Sequence, residues 1–365
     1  MDIAPSPKYS NSKFPLFPPT TEPERAQSIV RSSSPTDEQG RYWHWDKLRK
    51  LTPPQDWSVE EWWAGMKWVR NRQGRHLPFV ATSGAPFVLV TPACVHAQLS
   101  WLDQKLGRRG VPIRYHLDDE GWGDLAADSR KQEAKYSTVL EGAGFESESP
   151  ESFLQADRKP LPVDEGTLRN SCKALEYIRE NSHSELTPEG LRELHRILVL
   201  NSSGSPRVSG RFRAGTEDAS FLETDQTNLW HDPPMAAELE ERVFRICSFA
   251  NSDPGLGAPI HPIVRSILLH LIFLYDRPFS LANGRLARVL FYWSMLKNGY
   301  KLAELVSISE VLAAAPGQYE RSFRYVISDE NDATYFVIHQ LDVLIKALQN
   351  LGGRLEGEGS PVEVK

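Results

Sequence analysis

Cysteine is scarce in this chain: Cys94, Cys172 and Cys247 are the only three in 365 residues. They lie far apart in apolar helical contexts without metal-ligand spacing. An odd, sparse set argues against a disulfide framework and fits buried thiols in a reducing compartment. Positive charge is not in excess either. Lys and Arg number 42 against 48 Asp and Glu, a net charge of −6, so no overall basic field exists to displace the counterions of a nucleic acid. Long apolar runs are missing as well. The most apolar window, Ile267 to Tyr275, reads ILLHLIFLY, far short of the roughly 20 residues a helix needs to cross a bilayer. The amino terminus, MDIAPSPKYSNSKFPLFPP, lacks the basic start and apolar stretch of a secretory signal. These absences predict a cytoplasmic protein that engages neither nucleic acid nor membrane.

What is present is mostly helical patterning. Residues 1–40 are rich in Pro, Ser and Thr with few apolar anchors, which predicts a disordered leader. A helical amino-terminal module over 41–125 begins at RYWHWDKLRKL. Ser58 and Glu61 form a capping-box pattern ahead of Trp62, Met66 and Val69, and Thr91-Pro92 opens a second helix. The tryptophans (Trp43, Trp45, Trp57, Trp62, Trp63 and Trp68) read as core by their spacing, with an interface as the alternative. Asp118 to Asp128, acidic and Gly-containing, reads as a linker, and 144–163 as another irregular connection. Within 164–352 helices are expected from Asp164, Thr187-Pro188, Met235, Pro262 and Asn283, with a last one from Asp332 to Leu351 before Gly352-Gly353. Residues 353–365 read as a flexible tail. Between Gly204 and His231, Gly, Pro, Ser and Asp punctuate RFRAG and SFLET, the pattern of a β-hairpin or extended flap.

The segment from Asp276 to Arg288 reads DRPFSLANGRLAR. An apolar helix, a Pro-Phe turn and an Asn-Gly-Arg opening a new helix make an anion site, because the free N–H groups at a helix start carry partial positive charge. Arg285 and Arg288 stand on one face of the new helix and can clamp phosphates bidentately. This predicts a polyphosphate or nucleotide site, with ordinary helix-terminal ion pairs as the alternative.

The segment resembles the signature of the Fic (Fido) family, H-P-F-x-[D/E]-G-N-G-R-x-x-R. The likeness extends to LFYWSML, SISEVL, QYERSF, NDATYF and, near the amino terminus, HWDKLRKL. It implies an all-α Fic helical bundle with a β-hairpin flap and a small helical amino-terminal module. Members of the family transfer AMP from ATP to a Ser, Thr or Tyr hydroxyl of a target protein. Their histidine is the general base, an Asp or Glu holds Mg²⁺, and the Gly-Asn-Gly turn and the arginines bind phosphates.

Residue by residue, Pro278, Phe279, Asn283, Gly284, Arg285 and Arg288 match that pattern. Arg277 stands at the histidine position, Leu281 at the metal-carboxylate position and Ala282 at the first glycine. A guanidinium, with a pKa above about 12, cannot take the hydroxyl proton. Leucine offers no oxygen to a cation that demands oxygen ligands, so Leu281 speaks against Mg²⁺. Alanine penalises a positive φ that glycine accepts. Losing a general base alone costs about 10²- to 10⁴-fold, and losing the metal ligand with it makes ordinary AMP transfer improbable. As replacement bases, His270 reads as a satisfied core residue, His231 and His261 as caps or surface contacts, and Asp276 as structural.

Two further stretches gain meaning from the resemblance. Ser137 to Gly142 (STVLEG) reads alone as a helix closed by Gly142. It also matches the family's inhibitory-helix pattern [S/T]-x-x-x-E-[G/N], which implies that Glu141 pairs with Arg288 and blocks the terminal-phosphate site. Gly210, Arg211, Phe212 and Arg213 resemble the start of the target-docking flap, where an extended target segment adds as a strand. The leading expectation is a degenerate Fic-domain protein that keeps a loop for ATP or another nucleotide but lacks conventional AMP transfer. It acts by binding a protein target or an active Fic relative, and a homodimer is compatible with the resemblance. The alternatives are a Fic-fold transferase of altered chemistry or donor that uses Arg277, and an interaction scaffold that binds no nucleotide.

Overall fold

The computed structural model describes residues 3–8, 16–54, 56–107, 119–142, 163–200, 208–215, 231–252 and 259–357. Among them the chain is mostly helical, with one small two-stranded sheet. No described helix is long and apolar enough to cross a membrane, and none of the three cysteines forms a disulfide. Contacts divide the chain into two units, one of residues 1–99 with 321–338 and one of residues 100–320 with 339–365. This differs from the expected boundaries at 125 and 163. The 331–333 turn belongs with the amino-terminal residues because Val88 donates to Asn331 O at 3.0 Å and accepts from Ala333 N at 2.8 Å.

The first unit is built from helices α1 (Pro23–Ser32), α2 (Trp45–Leu48) and α3 (Val59–Gln73) and strands β1 (Arg75–Val80) and β2 (Pro86–Leu89). The Ser58–Glu61 capping box forms as its spacing predicts. Glu61 also accepts from Arg25 Nε at 2.7 Å, which fastens α1 to α3. This corrects the expected disordered leader. Ala26 and Ile29 pack against Phe17 and Ala64, and a buried Ile contributes about 1.5–3 kcal/mol. Gly65 permits the approach, since a Cβ there would stand 2.2 Å from Ser33 Oγ. Trp62 and Trp63 are core, with Leu48 and Met66. The antiparallel hairpin, with Arg75 opposite Leu89, departs from the all-helical module expected. Its alternation is short, and Leu77, Phe79, Phe87 and Leu89 supply the buried face.

Helix α4 (Ala93–Leu106) spans the first boundary. The second unit holds α5 (Asp119–Val139), α6 (Val163–Asn181), α7 (Pro188–Val199), α8 (Leu239–Asn251), α9 (Pro262–Asp276), α10 (Asn283–Lys297) and α11 (Ile308–Ala314), while α12 (Pro316–Ser328) and α13 (Thr334–Gly357) run across the other boundaries. Helix α5 corrects the reading of residues up to Asp128 as a linker. It gains its order from tertiary bonds: Trp122 Nε1 donates to Glu304, and Ser129 Oγ to Leu305 O at 2.8 Å. The connection at 144–162 lies outside the described residues. Helix α13 continues through Gly352-Gly353 rather than ending before them.

Helices α9 and α10 form the centre of the second unit. Every α9 residue except Leu274 is buried, and Ser266 Oγ donates to Ser294 Oγ at 2.8 Å between the two helices. His270 is a core residue as expected, with its Nε2 2.7 Å from the Tyr319 hydroxyl. His261 caps α9, accepting from Ile263 N.

Candidate anion-binding site

The loop joining α9 to α10 turns through two left-handed residues, Arg277 at φ 41° and Ala282 at φ 60°. Neither is glycine, so each costs on the order of 1 kcal/mol. Asn283 holds the turn closed by a reciprocal pair. Its Oδ1 accepts from Phe279 N at 3.0 Å and its Nδ2 donates to Phe279 O at 2.7 Å. That side chain is thereby committed to the loop.

Arg213 secures the α9 end of the loop. It is buried, and its guanidinium donates to Arg277 O (2.6 Å), Pro234 O (2.9 Å) and Asp276 O (3.1 Å). A cation among the last carbonyls of a helix is favoured by the helix dipole. The backbone follows, with Arg213 N donating to Pro278 O at 2.9 Å and Phe212 bridging Phe279. The side chain of Arg213 therefore serves the loop rather than a docked strand. Arg211 is exposed, and the remainder of the flap, 216–230, lies outside the described residues. Asp276 is buried and accepts from Arg242 Nη1 at 3.0 Å. Burial raises its pKa to about 7, against the lowering pull of Arg242. His231 Nε2 lies 2.7 Å from Tyr275 O near the end of α9.

At the α10 end sits Glu141. Its Oε1 accepts from the Arg285 backbone N–H at 2.6 Å and from Arg288 Nη2 at 3.2 Å, and its Oε2 accepts from Arg285 Nε at 2.8 Å. The expected partner, Arg288, is present, but Arg285 is the closer one. Arg288 is itself held by Ser137, donating to Oγ and to the carbonyl at 2.8 Å each. Burial opposes the charge on Glu141, yet Arg285 and Arg288 outweigh it and hold the carboxyl below the usual range. Gly142 turns the chain at φ 89° just beyond α5. A carboxylate thus occupies the helix start where the sequence predicts an anion.

Two residues that support the site from outside it escaped sequence reasoning. His195, on α7, is fully buried and lies flat on the Phe279 ring, with centroids 3.9 Å apart. Glu133, on α5, accepts at 2.9 Å from the Tyr292 hydroxyl, Ser307 Oγ and Ser309 N, and also from Ser309 Oγ. Neither stands in a recognisable pattern. Each is found by the long-range contacts it makes.

The residues fit a phosphate but not a magnesium ion. Three N–H donors already bind an anionic oxygen pair, as they would bind phosphate oxygens. Leu281 presents hydrocarbon at the position where the signature has a carboxylate, and the Asn283 oxygen is committed to Phe279 N.

Comparison with known proteins agrees with this architecture. Residues 185–295 match the Fic/DOC family profile, and the chain carries a domain of that family. Protein adenylyltransferase fic-1 of Caenorhabditis elegans is 24% identical over 152 residues, 41% of this chain. The matched stretch spans 26% of the length of that curated relative. A solved Fic-1 structure from C. elegans superposes with a TM-score of 0.53 at 18% identity, covering 73% of this chain and 77% of that one. A Fic domain containing signaling protein from Bacteroides thetaiotaomicron gives 0.55 at 18% identity, covering 72% of this chain and all of that one.

Proposed function

We propose that this protein binds nucleotide phosphates at the start of α10 under the control of its own Glu141, and does not transfer AMP by the conventional Fic route. The observation that carries this reading is the Glu141 carboxylate seated on Arg285 N, Arg285 Nε and Arg288 Nη2. An acidic side chain fills a site built for an anion, and its withdrawal leaves two buried guanidiniums and a helix start in need of negative charge. The terminal phosphates of ATP supply that charge. Arg277 and Leu281 support the second half of the reading: neither can act as a general base or as an oxygen ligand. ATP held without a metal, beside a flap that accepts an extended protein segment, suits a nucleotide-gated binding protein. Its partner is a protein target or an active Fic relative, met in the cytoplasm.

The test is calorimetric titration of ATP into Glu141→Gly and wild type, with and without Mg²⁺, beside an assay for AMP transfer to protein. The expected result is binding to the variant that ignores Mg²⁺, much weaker binding to wild type, and no transfer by either. Silence in the variant overturns the binding half, and stoichiometric AMP transfer by wild type overturns the other.

A further inference from the structure

We propose that His195 is a positioning residue that couples the base of the flap to the anion loop through one neutral imidazole. The proposal rests on reading that loop as an anion site. His195 Nδ1 accepts from Gly210 N–H at 2.9 Å, which fixes the ring proton on Nε2. That Nε2–H faces the Leu281 carbonyl at 3.3 Å. The ring also stacks on Phe279, with planes only 5° apart. The imidazole therefore holds Phe279 and Leu281, which lead into the left-handed turn at Ala282.

The grip on the flap is equally specific. Gly210 has φ +67°, and a Cβ there would stand 2.6 Å from Arg196 Nε, so only glycine brings its N–H to the imidazole beneath Arg196. Arg192 lies 4.7 Å above the Phe212 ring. Arg192, His195 and Arg196, at i, i+3 and i+4, present one face of α7 to residues 210–212. Phe212 in turn bridges Phe279.

The two ends of the ring are chemically distinct, an acceptor toward the flap and a donor toward the loop. Burial lowers the pKa of His195 to about 4, and the Arg285 and Arg196 cations that face it act in the same direction. A second proton would place Nδ1–H against Gly210 N–H. With one rigid neutral group joining both segments, a shift at residues 210–212 and an anion at α10 influence each other by the same free energy.

The two hydrogen bonds can be separated. His195→Asn places an acceptor near the Nδ1 position, whereas His195→Gln places a donor near Nε2. ATP without Mg²⁺ is titrated into Glu141→Gly carrying either change. Hydrogen exchange over 208–213 and 279–286 is followed in otherwise wild-type protein, which needs no ligand. Gln is expected to keep ATP affinity within about 3-fold and to speed exchange at 208–213 more than at 279–286. Asn is expected to lose about 10-fold or more, the size of one hydrogen bond, and to speed exchange at 279–286. Equal losses of affinity and exchange rising evenly over all helices would reduce His195 to packing and overturn the proposal. If both variants fail to fold, Gly210→Ala perturbs the same link from the flap side, and unchanged exchange at 279–286 overturns the coupling. Failure of ATP to bind Glu141→Gly itself counts against the anion reading alone, and the exchange measurements then decide the role of His195.

Discussion

Gly284 and Glu141 fit each other closely: a Cβ on Gly284 would stand 2.7 Å from Glu141 Oε1 and 3.3 Å from Arg288 Nη1. Absence of a side chain at 284 is what lets the carboxylate reach the helix start. Within a helix, Gly→Ala alone is favourable by roughly 0.5–1 kcal/mol. Gly284→Ala should therefore stabilise Glu141→Gly by about that amount and destabilise wild type, because Glu141 is pinned by Arg285 and cannot retreat without losing its bonds. A double-mutant cycle from urea unfolding should give a coupling on the order of 1–3 kcal/mol. Additive effects would mean that Glu141 leaves the site at little cost.

Two buried carboxyls should shape the pH dependence of stability in opposite directions. Glu141 is held below its usual range in the folded protein. Its contribution is present above the unfolded value, near 4.5, and is lost as pH falls through the lowered folded value. Asp276 is raised from 3.8 to about 7, so the folded state keeps a proton that the unfolded chain releases, and stability declines as pH climbs through that window. Glu141→Gln should flatten the acid limb below about pH 4.5. Asp276→Asn should be less costly at pH 8 than at pH 5. Urea midpoints from pH 3 to 8 distinguish the two, and parallel curves for variant and wild type would remove the effect for that residue.

Local chemistry was the legible part of this fold. The capping box at Ser58 and Glu61, the Thr187 cap that accepts from Gly190 N and Pro262 in the first turn of α9 all act within a few residues, and each marks a helix start correctly. The loop from Asp276 to Arg288 was legible because Pro278, Phe279 and Asn283 to Arg285 form one contiguous pattern. Distance hid the rest. Helix α5 looks like a linker until Glu304 and Leu305 are seen to bond it, and α1 looks disordered until Ala64 and Gly65 meet it. Arg213 reads as a docking residue, although its donors serve three carbonyls of the loop and its neighbour Pro234. His195 is one of ten histidines, and nothing near it in the chain says that Gly210 and Leu281 face its two nitrogens.

Glu133 anchors the helix that delivers Glu141. It sits two turns earlier on α5, is buried, and gathers bonds from Tyr292, Ser307 and Ser309. Glu133→Gln turns one acceptor oxygen into a donor facing other donors, which should cost about 2–4 kcal/mol by the measure of broken buried networks. The change lies outside the anion site, so any effect on ligand must travel along α5. Exchange over 129–142 should quicken, and ATP should bind the full chain more tightly than it binds wild type. A loss of stability with unchanged ATP affinity would mean that Glu141 holds its place without help from α5.

Placing the signature residues at the three positions where this loop differs offers a strict test of what the loop can do. Ala282 sits at φ 60°, ψ 17°, a conformation that glycine adopts without penalty, so Ala282→Gly alone should raise stability by about 1 kcal/mol. Arg277 sits at φ 41°, ψ 61°, and histidine is enriched several-fold at such left-handed positions. The backbone thus still suits the residues that the family signature places at 277 and 282. Arg277→His, Leu281→Asp and Ala282→Gly together, in Glu141→Gly, return a titratable base and an oxygen ligand to an intact frame of Phe279, Asn283, Arg285 and Arg288. Mg²⁺-dependent AMP transfer, read by mass spectrometry as adenylylated protein, is the expected gain. Its appearance would show that the three side chains alone separate this protein from a transferase. Improved stability without transfer would place the limiting difference elsewhere, in the flap or in the seat of the adenine, because the loop itself would then match the signature.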